Sequence, residues 1–331
     1  MTRSPFRRRP CRGGALPPWV VPIAVPTPYP VGPVTLYLLD GDPLTLVDTG
    51  PATRTAWRKL VRGLQARGYA PRDVKRVLVT HGHHDHFGAA SRLARLGAEV
   101  HVHPHDANNL LLRRDYPRRW RRLRRSGLSV GRTSAILFSL FTLDLTTRRL
   151  LHYTPLADGE ALPHENDSIR VHHTPGHSPG HVAFELEREG VWITGDTLLD
   201  GITPNAVVEE DPEDPARLFL SIAAYNRSLA LLEEAAPALL LPAHGRCLDD
   251  VAHQVAVVRT KQAQRAAQVR SALEAGPASV ARLVETLFPH VSLLGTFLAY
   301  SEVLGHLLEL ERLGAVVQSV VGGRERWALS S

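Results

Sequence analysis

Apolar residues in this chain come in short runs, and each run stops at a polar or glycine-bearing turn. VTLYLL (34–39), a DGD turn and LTLVDTG (44–50) read as a β-hairpin whose second strand ends in a polar turn. Trp57, Leu60, Val61 and Leu64 then recur at helical spacing. VKRVLVT (74–80) is the next strand, FGAASRLARLGA (87–98) a helix, and EVHVH (99–103) a further strand. After an insertion (108–154), IRVHH, VAFELE and VWIT read as strands split by TPGHSPGH and EREG. A helix over Pro215 to Glu234 leads to LLL (239–241), closed by PAHG. Near the C-terminus, SVARLVETLF (279–288) and AYSEVLGHLLELERLGAVV (299–317) read as helices, and QSVVGGRERWAL (318–329) as two strands turned by Gly322 and Gly323.

The 331 residues, 44% of them hydrophobic, suffice for a full core and predict two domains. No apolar run is long enough to cross a bilayer as a helix. The leader MTRSPFRRRPCRGG is basic, and prolines interrupt the LPPWVVPIAVP that follows, unlike the apolar centre of a signal peptide, so a cytoplasmic location is expected. Cys11 and Cys247 are the only cysteines, which excludes a disulfide framework and a thiolate-rich zinc cage. Any metal must be held by nitrogen and oxygen.

THGHHDH (80–86) is far richer in imidazole than a surface loop requires. Its neighbours in chemistry, TPGHSPGH (174–181), GDT (195–197) and PAHG (242–245), each follow a short apolar run. Loops at strand ends are where sites are built, because strands hold the backbone while loops vary. The collected donors are His81, His83, Asp85, His86, His177, Asp196 and His244, enough for two ions sharing one carboxylate. Alternate residues on an extended segment point the same way, so His81 and His83 can grip one ion while Asp85 and His86 face another. Gly82 and His84 should point elsewhere. HVHPHD (101–106), His172, His173 and Cys247 are read as decoys without a partner set.

LVDTG, HGHHDH, TPGHSPGH, GDT and PAHG, found together over roughly residues 20–258, resemble the metallo-β-lactamase superfamily. The resemblance implies an α/β (α+β) fold, the αββα sandwich with a dinuclear site at its rim. It would have His81, His83 and His177 hold the first metal, Asp85, His86 and His244 the second, and Asp196 bridge them. Asp48 matches the aspartate that orients a ligand histidine without touching metal. Two Zn2+ per chain are the expected cofactor, since zinc suits this donor mixture. A metal-bridging hydroxide, held in line by Asp85, would be the nucleophile. No general acid is identified.

Antibiotic hydrolysis is disfavoured, because the lactamases of this family lack the bridging aspartate that GDT supplies. The short stretch between Asp196 and His244 leaves no room for the inserted domain of the superfamily's processing nucleases. DTLLDGITPN and the C-terminal helices and strands resemble the lactamase-like protein 2 group, which carries an appended winged helix. The expected organisation is a leader (1–17), the sandwich domain (18–258) with its insertion, and a small C-terminal winged-helix domain (259–331). The acidic to neutral SEVLGHLLELERLG is unlike a helix that meets phosphates, which favours packing or a lid over nucleic-acid binding.

The insertion opens on RRDYPRRWRRLRR (113–125), eight arginines in thirteen residues, a main local concentration of the net charge of +6. Trp120, Arg324 and Arg326 are candidate substrate contacts. The expected reaction is cleavage of an ester, thioester or lactone in a small-molecule acyl substrate. The alternatives are endoribonuclease action on single-stranded RNA, with Trp120 as a stacking face, and mononuclear iron persulfide dioxygenation. Self-association into a homo-oligomer stays open.

Overall fold

The computed structural model describes residues 16–29, 31–113, 115–204 and 207–330. The basic leader up to residue 15, Cys11 and Arg114 of the arginine block lie outside the described residues. The first sheet runs β1 (Val20–Val25), β2 (Val34–Leu39), β3 (Thr45–Val47), β4 (Arg76–Leu78), β5 (Glu99–Val102) and β6 (Thr154–Pro155), in that spatial order. Its first three strands are antiparallel and the rest join in parallel. The second sheet has the order β11 (Leu239–Pro242), β10 (Val191–Gly195), β9 (Val182–Leu186), β8 (Ser168–His173), β7 (Ala161–Pro163), with only the β10–β11 pair parallel.

Near-continuous apolar strands are what a sheet covered on both faces requires. Tyr37 and Leu39 of β2, Val191 and Ile193 of β10, and Leu239 and Leu241 of β11 meet in one core between the sheets. Their alternates point outward. Leu36 and Leu38 pack on Leu60 and Leu64 of α1 (Arg54–Gln65), with α2 (His84–Phe87) and α3 (Ala90–Ala94) beside them. Trp192 and Leu240 pack on Leu229 and Leu232 of α7 (Ser221–Ala235) and on Val255 and Val258 of α8 (Val251–Glu274). The layers are therefore helix, sheet, sheet, helix.

The insertion forms α4 (Ala107–Leu110), α5 (Tyr116–Arg125) and α6 (Val130–Thr146). Leu123, Leu128, Ile136 and Leu137 share a core with α9 (Val280–Leu287), α10 (Leu293–Arg312) and Val316 and Trp327 of the hairpin β12 (Val316–Val321) and β13 (Arg324–Leu329). Insertion and C-terminal elements are thus one packed unit, joined further where Ala281 N–H donates to the Ser126 carbonyl. Helix α8 runs unbroken through residue 258. The apolar spacing in FGAASRLARLGA resolves into α2 and α3 with a break at Gly88, where a Cβ would come within 2.4 Å of the His84 carbonyl and 2.7 Å of Ala52 N. Among the described residues no helix is long and apolar enough to cross a membrane.

Candidate metal centre

Loops after β3, β4, β8, β10 and β11 converge at one end of the sandwich. His81 Nε2 and His177 Nε2 lie 3.0 and 2.9 Å from His83 Nδ1. Asp196 Oδ2 is 3.4 Å from His177 Nε2 and 3.7 Å from His86 Nε2, and its other oxygen is 3.8 Å from His244 Nε2. Asp85 completes the cluster, 3.5 Å from His244 Nε2 and 3.9 Å from His86 Nε2. All seven donors come together, as a three-histidine group and an Asp85, His86, His244 group with Asp196 next to both.

The far side of each ring is held. His86 Nδ1 lies 2.8 Å from Asp48 Oδ2, and His244 Nδ1 donates to the Pro33 carbonyl at 3.0 Å, so both Nε2 lone pairs face the cluster. Asp48 also accepts from the Thr80 N–H and hydroxyl, each at 2.8 Å, from a left-handed backbone with φ of 59°. That conformation disfavours a side chain by about 1–2 kcal/mol and is retained where neighbouring contacts impose it. His84, by contrast, turns away: its ring nitrogens lie 2.8 Å from Thr147 Oγ1 and 3.2 Å from Asp144 Oδ1.

His86 Nε2, His244 Nε2 and Asp196 Oδ1 are buried and lack a hydrogen-bond partner. Buried polar atoms are nearly always paired, so orphans aimed at one another fit a missing cation. A tetrahedral ion with nitrogen bonds near 2.0–2.1 Å keeps its ligand atoms roughly 3.3 Å apart, close to the spacing in the three-histidine group. Burial, reinforced by neighbouring imidazoles, holds His81 and His83 well below the ordinary histidine value, which leaves them neutral. Burial also opposes charge on His86, but Asp196, Asp48 and Asp85 outweigh it and lift that ring well above the ordinary value. For Asp196, burial is outweighed by His86 and His244, and its carboxyl sits well below the carboxylate range. A bound cation would supply the positive charge these carboxylates attract.

Two glycines make the approach of the loops possible. At Gly195, φ is +49°, and a Cβ would lie 2.8 Å from Thr80 Oγ1 and 2.9 Å from His181 Nε2. A Cβ at Gly180 would meet Asp106 N at 2.5 Å.

Three residues outside the sequence-derived set take part. His181 accepts from the Asp196 N–H at 3.1 Å and so sets that residue's backbone. Glu209, held by Asn109 Nδ2 at 3.0 and 3.2 Å, faces His83 Nε2 at 3.9 Å. Asp106, fully buried, accepts from Gly82 N–H at 2.6 Å, Ser178 Oγ at 2.7 Å and Gly180 N–H at 2.8 Å. It ties the loop of His81 and His83 to the loop of His177. Burial, with Glu209 nearby, pushes its carboxyl up to about 7 against those hydrogen bonds. HVHPHD therefore contributes through its last residue, and the second histidine of HSPGH is the signal that could have pointed to His181; Glu209 has no sequence signature.

Asp106→Asn keeps the shape but replaces one accepting oxygen with an NH2 group that faces donors. Metal affinity should fall about 10–100-fold, read by metal content after dialysis against graded chelator, with unchanged circular dichroism. Retention equal to that of the unmodified chain would show that the staple does not matter.

His103, His105 and His173 form another imidazole group, but the His103 and His173 rings stack at 4.1 Å and 11°. Lone pairs lie in the ring planes, so two parallel rings do not aim at a common ion. His172 pairs with Glu185 at 2.7 Å, and Cys247 is half-buried against the inter-sheet core. Trp120 packs half-buried on the C-terminal core, and Arg324 and Arg326 lie on β13; these three are not gathered with the donors.

The sequence profile described as Metallo-beta-lactamase superfamily matches residues 29–244. The chain is 30% identical over 306 residues to the probable metallo-hydrolase YqjP of Bacillus subtilis (strain 168), covering 90% of this chain and 93% of that one. It is 34% identical over 119 residues to an atrochrysone carboxyl ACP thioesterase of Aspergillus chevalieri, covering 36% of this chain and only 34% of that enzyme. Among solved structures, a metallo-beta-lactamase family protein from Thermus thermophilus superposes with a TM-score of 0.82 at 30% identity, covering 95% of this chain and all of that one, 100%.

Proposed function

The chain belongs to the metallo-beta-lactamase superfamily and is a metal-dependent hydrolase, and from that premise we propose that it uses two zinc ions to cleave an acyl ester, thioester or lactone. The observation that carries this reading is the pair of donor groups meeting at Asp196, with the outer nitrogens of His86 and His244 already engaged by Asp48 and Pro33. His81, His83 and His177 would hold one ion, Asp85, His86 and His244 the other, and Asp196 both. When bound, such a pair lowers the pKa of a water and polarises the scissile carbonyl.

The chain's own residues do the rest. Asp48, the Pro33 carbonyl and His181 fix ring and carboxylate orientations, so little reorganisation is needed during reaction. Asp85 is held below the ordinary carboxylate range because His86 and His244 outweigh burial, which keeps it ionised to accept a water proton. A thioester substrate class draws support from the relatives named as thioesterases. The winged-helix and lactamase-like protein 2 assignment rests on the helix, helix and hairpin order of α9, α10 and β12–β13.

The RNA reading is less supported, because part of the arginine block is engaged within the chain. Arg118 and Arg122 reach Glu210 at 3.5 and 3.7 Å, and Arg124 donates to the Leu128 carbonyl.

Elemental analysis of the purified full chain tests the proposal first: close to two zinc per chain is the expected result, and one iron per chain would overturn it in favour of oxygen chemistry. A panel of thioesters, lactones and single-stranded RNA follows, with turnover of the acyl substrates expected and exclusive turnover of RNA counting against them.

A further inference from the structure

Helix α6 carries an apolar stripe on its outer side that the fold leaves bare. Val130, Phe138, Phe141 and Leu145 are 56, 67, 46 and 69% exposed, and Leu151 just beyond the helix is 66% exposed. Their spacing places the helical four on one face, over about 22 Å of axis. Folded chains seldom leave large apolar side chains grouped on one face of a helix, as Phe138, Phe141 and Leu145 are, without an occupant.

The charge around the stripe is one-sided. Arg113, Arg121, Arg125, Arg148 and Arg149 are exposed between residues 113 and 152, and Arg132 is paired with exposed Glu285 at 3.3 Å, whereas Asp115 is the single exposed acid among the described residues of that stretch, and it caps α5 by accepting from Arg118 N–H at 2.9 Å. The acid of α6 itself, Asp144, faces inward to His84 at 3.2 Å and Tyr116 at 2.8 Å. Apolar face with an arginine rim is the composition of a helix that lies in a lipid interface, with side chains below the headgroups and cations among anionic ones. A second copy of this chain would bring arginine against arginine. A nucleic acid would meet the arginines but leave two phenylalanines and two leucines without apolar cover.

We propose that α6 and residues 148–151 form a docking surface for an anionic lipid membrane. Leu145 lies between Asp144 and Thr147, the two residues that hold His84 in the metal-binding loop. An amphiphilic substrate resting in such a membrane would therefore be presented beside the metal centre.

Co-sedimentation of the full chain with phosphatidylglycerol/phosphatidylcholine vesicles at low salt, against pure phosphatidylcholine vesicles, tests this. Binding to the anionic vesicles is expected to exceed binding to the neutral ones at least tenfold. The Phe138→Ser/Phe141→Ser variant, altered only at exposed positions, should lose at least tenfold in partition while keeping its metal content. Arg148→Gln/Arg149→Gln should weaken the preference for anionic lipid relative to the unmodified chain. The basic leader is present in every protein compared, so the difference between them reports on α6. The proposal is overturned by absence of binding to anionic vesicles, by equal binding of the phenylalanine variant, or by a concentration-dependent dimer that this variant dissolves.

Discussion

Asp196→Ala should reduce turnover to below about a thousandth of the unmodified level, a loss of roughly 4 kcal/mol of transition-state stabilisation, and should lower metal content in the same preparation. Among the described residues, Asp196 is the one side chain whose oxygens approach nitrogens of both donor groups, His177 and His86 through Oδ2 and His244 through Oδ1. Without it, the charge that draws His86 upward is weakened and no carboxylate joins the groups. The sandwich should persist, because its cores lie between and outside the sheets and do not include this residue. Metal analysis and steady-state kinetics read the effect, with circular dichroism as the control for folding. Full activity together with full metal content would reject the shared-ligand assignment.

A second large effect is expected at Asp48, which touches none of the other donors except through His86. Asp48→Ala removes acceptors for the Thr80 N–H, the Thr80 hydroxyl and His86 Nδ1 in a fully enclosed position. Buried donors left unpaired cost about 1–3 kcal/mol each. Part of this returns when the left-handed backbone at residue 48 relaxes, so a net loss of about 3 kcal/mol is expected, accompanied by metal affinity reduced about 10–100-fold. Chemical denaturation of chelator-treated protein separates the two, since the stability loss must survive removal of metal. Asp48→Asn, which keeps one acceptor, should recover part of the stability but little of the affinity. If the alanine variant matches the unmodified protein in both measurements, Asp48 has no orienting role.

The sequence by itself determined the layered fold and the list of donors. Runs that are apolar at every position, such as VWI (191–193) and LLL (239–241), are satisfied only with both faces covered, and the resemblance of the motifs to the metallo-β-lactamase superfamily implied the rest, two sheets stacked between helices. The ligand-type residues were legible for a related reason: histidine and aspartate clustered at strand ends have few purely structural uses. Tertiary structure decided which atoms meet. Which nitrogen a ring presents depends on its orientation, and that is set by residues distant in the chain: Asp48 for His86, the Pro33 carbonyl for His244 and Glu209 beside His83. Asp48 was marked by LVDTG, whereas Pro33 and Glu209 leave no local pattern. Asp106 was hidden within a histidine-rich decoy because its partners, Gly82, Ser178 and Gly180, are backbone and hydroxyl donors that carry no sequence signal. The arginine block shows the same limit. Its composition was plain, but only packing of Leu123, Leu128, Ile136 and Leu137 into the C-terminal core decided which arginines turn inward and which side of α6 faces outward, since helical spacing defines a face without saying what covers it.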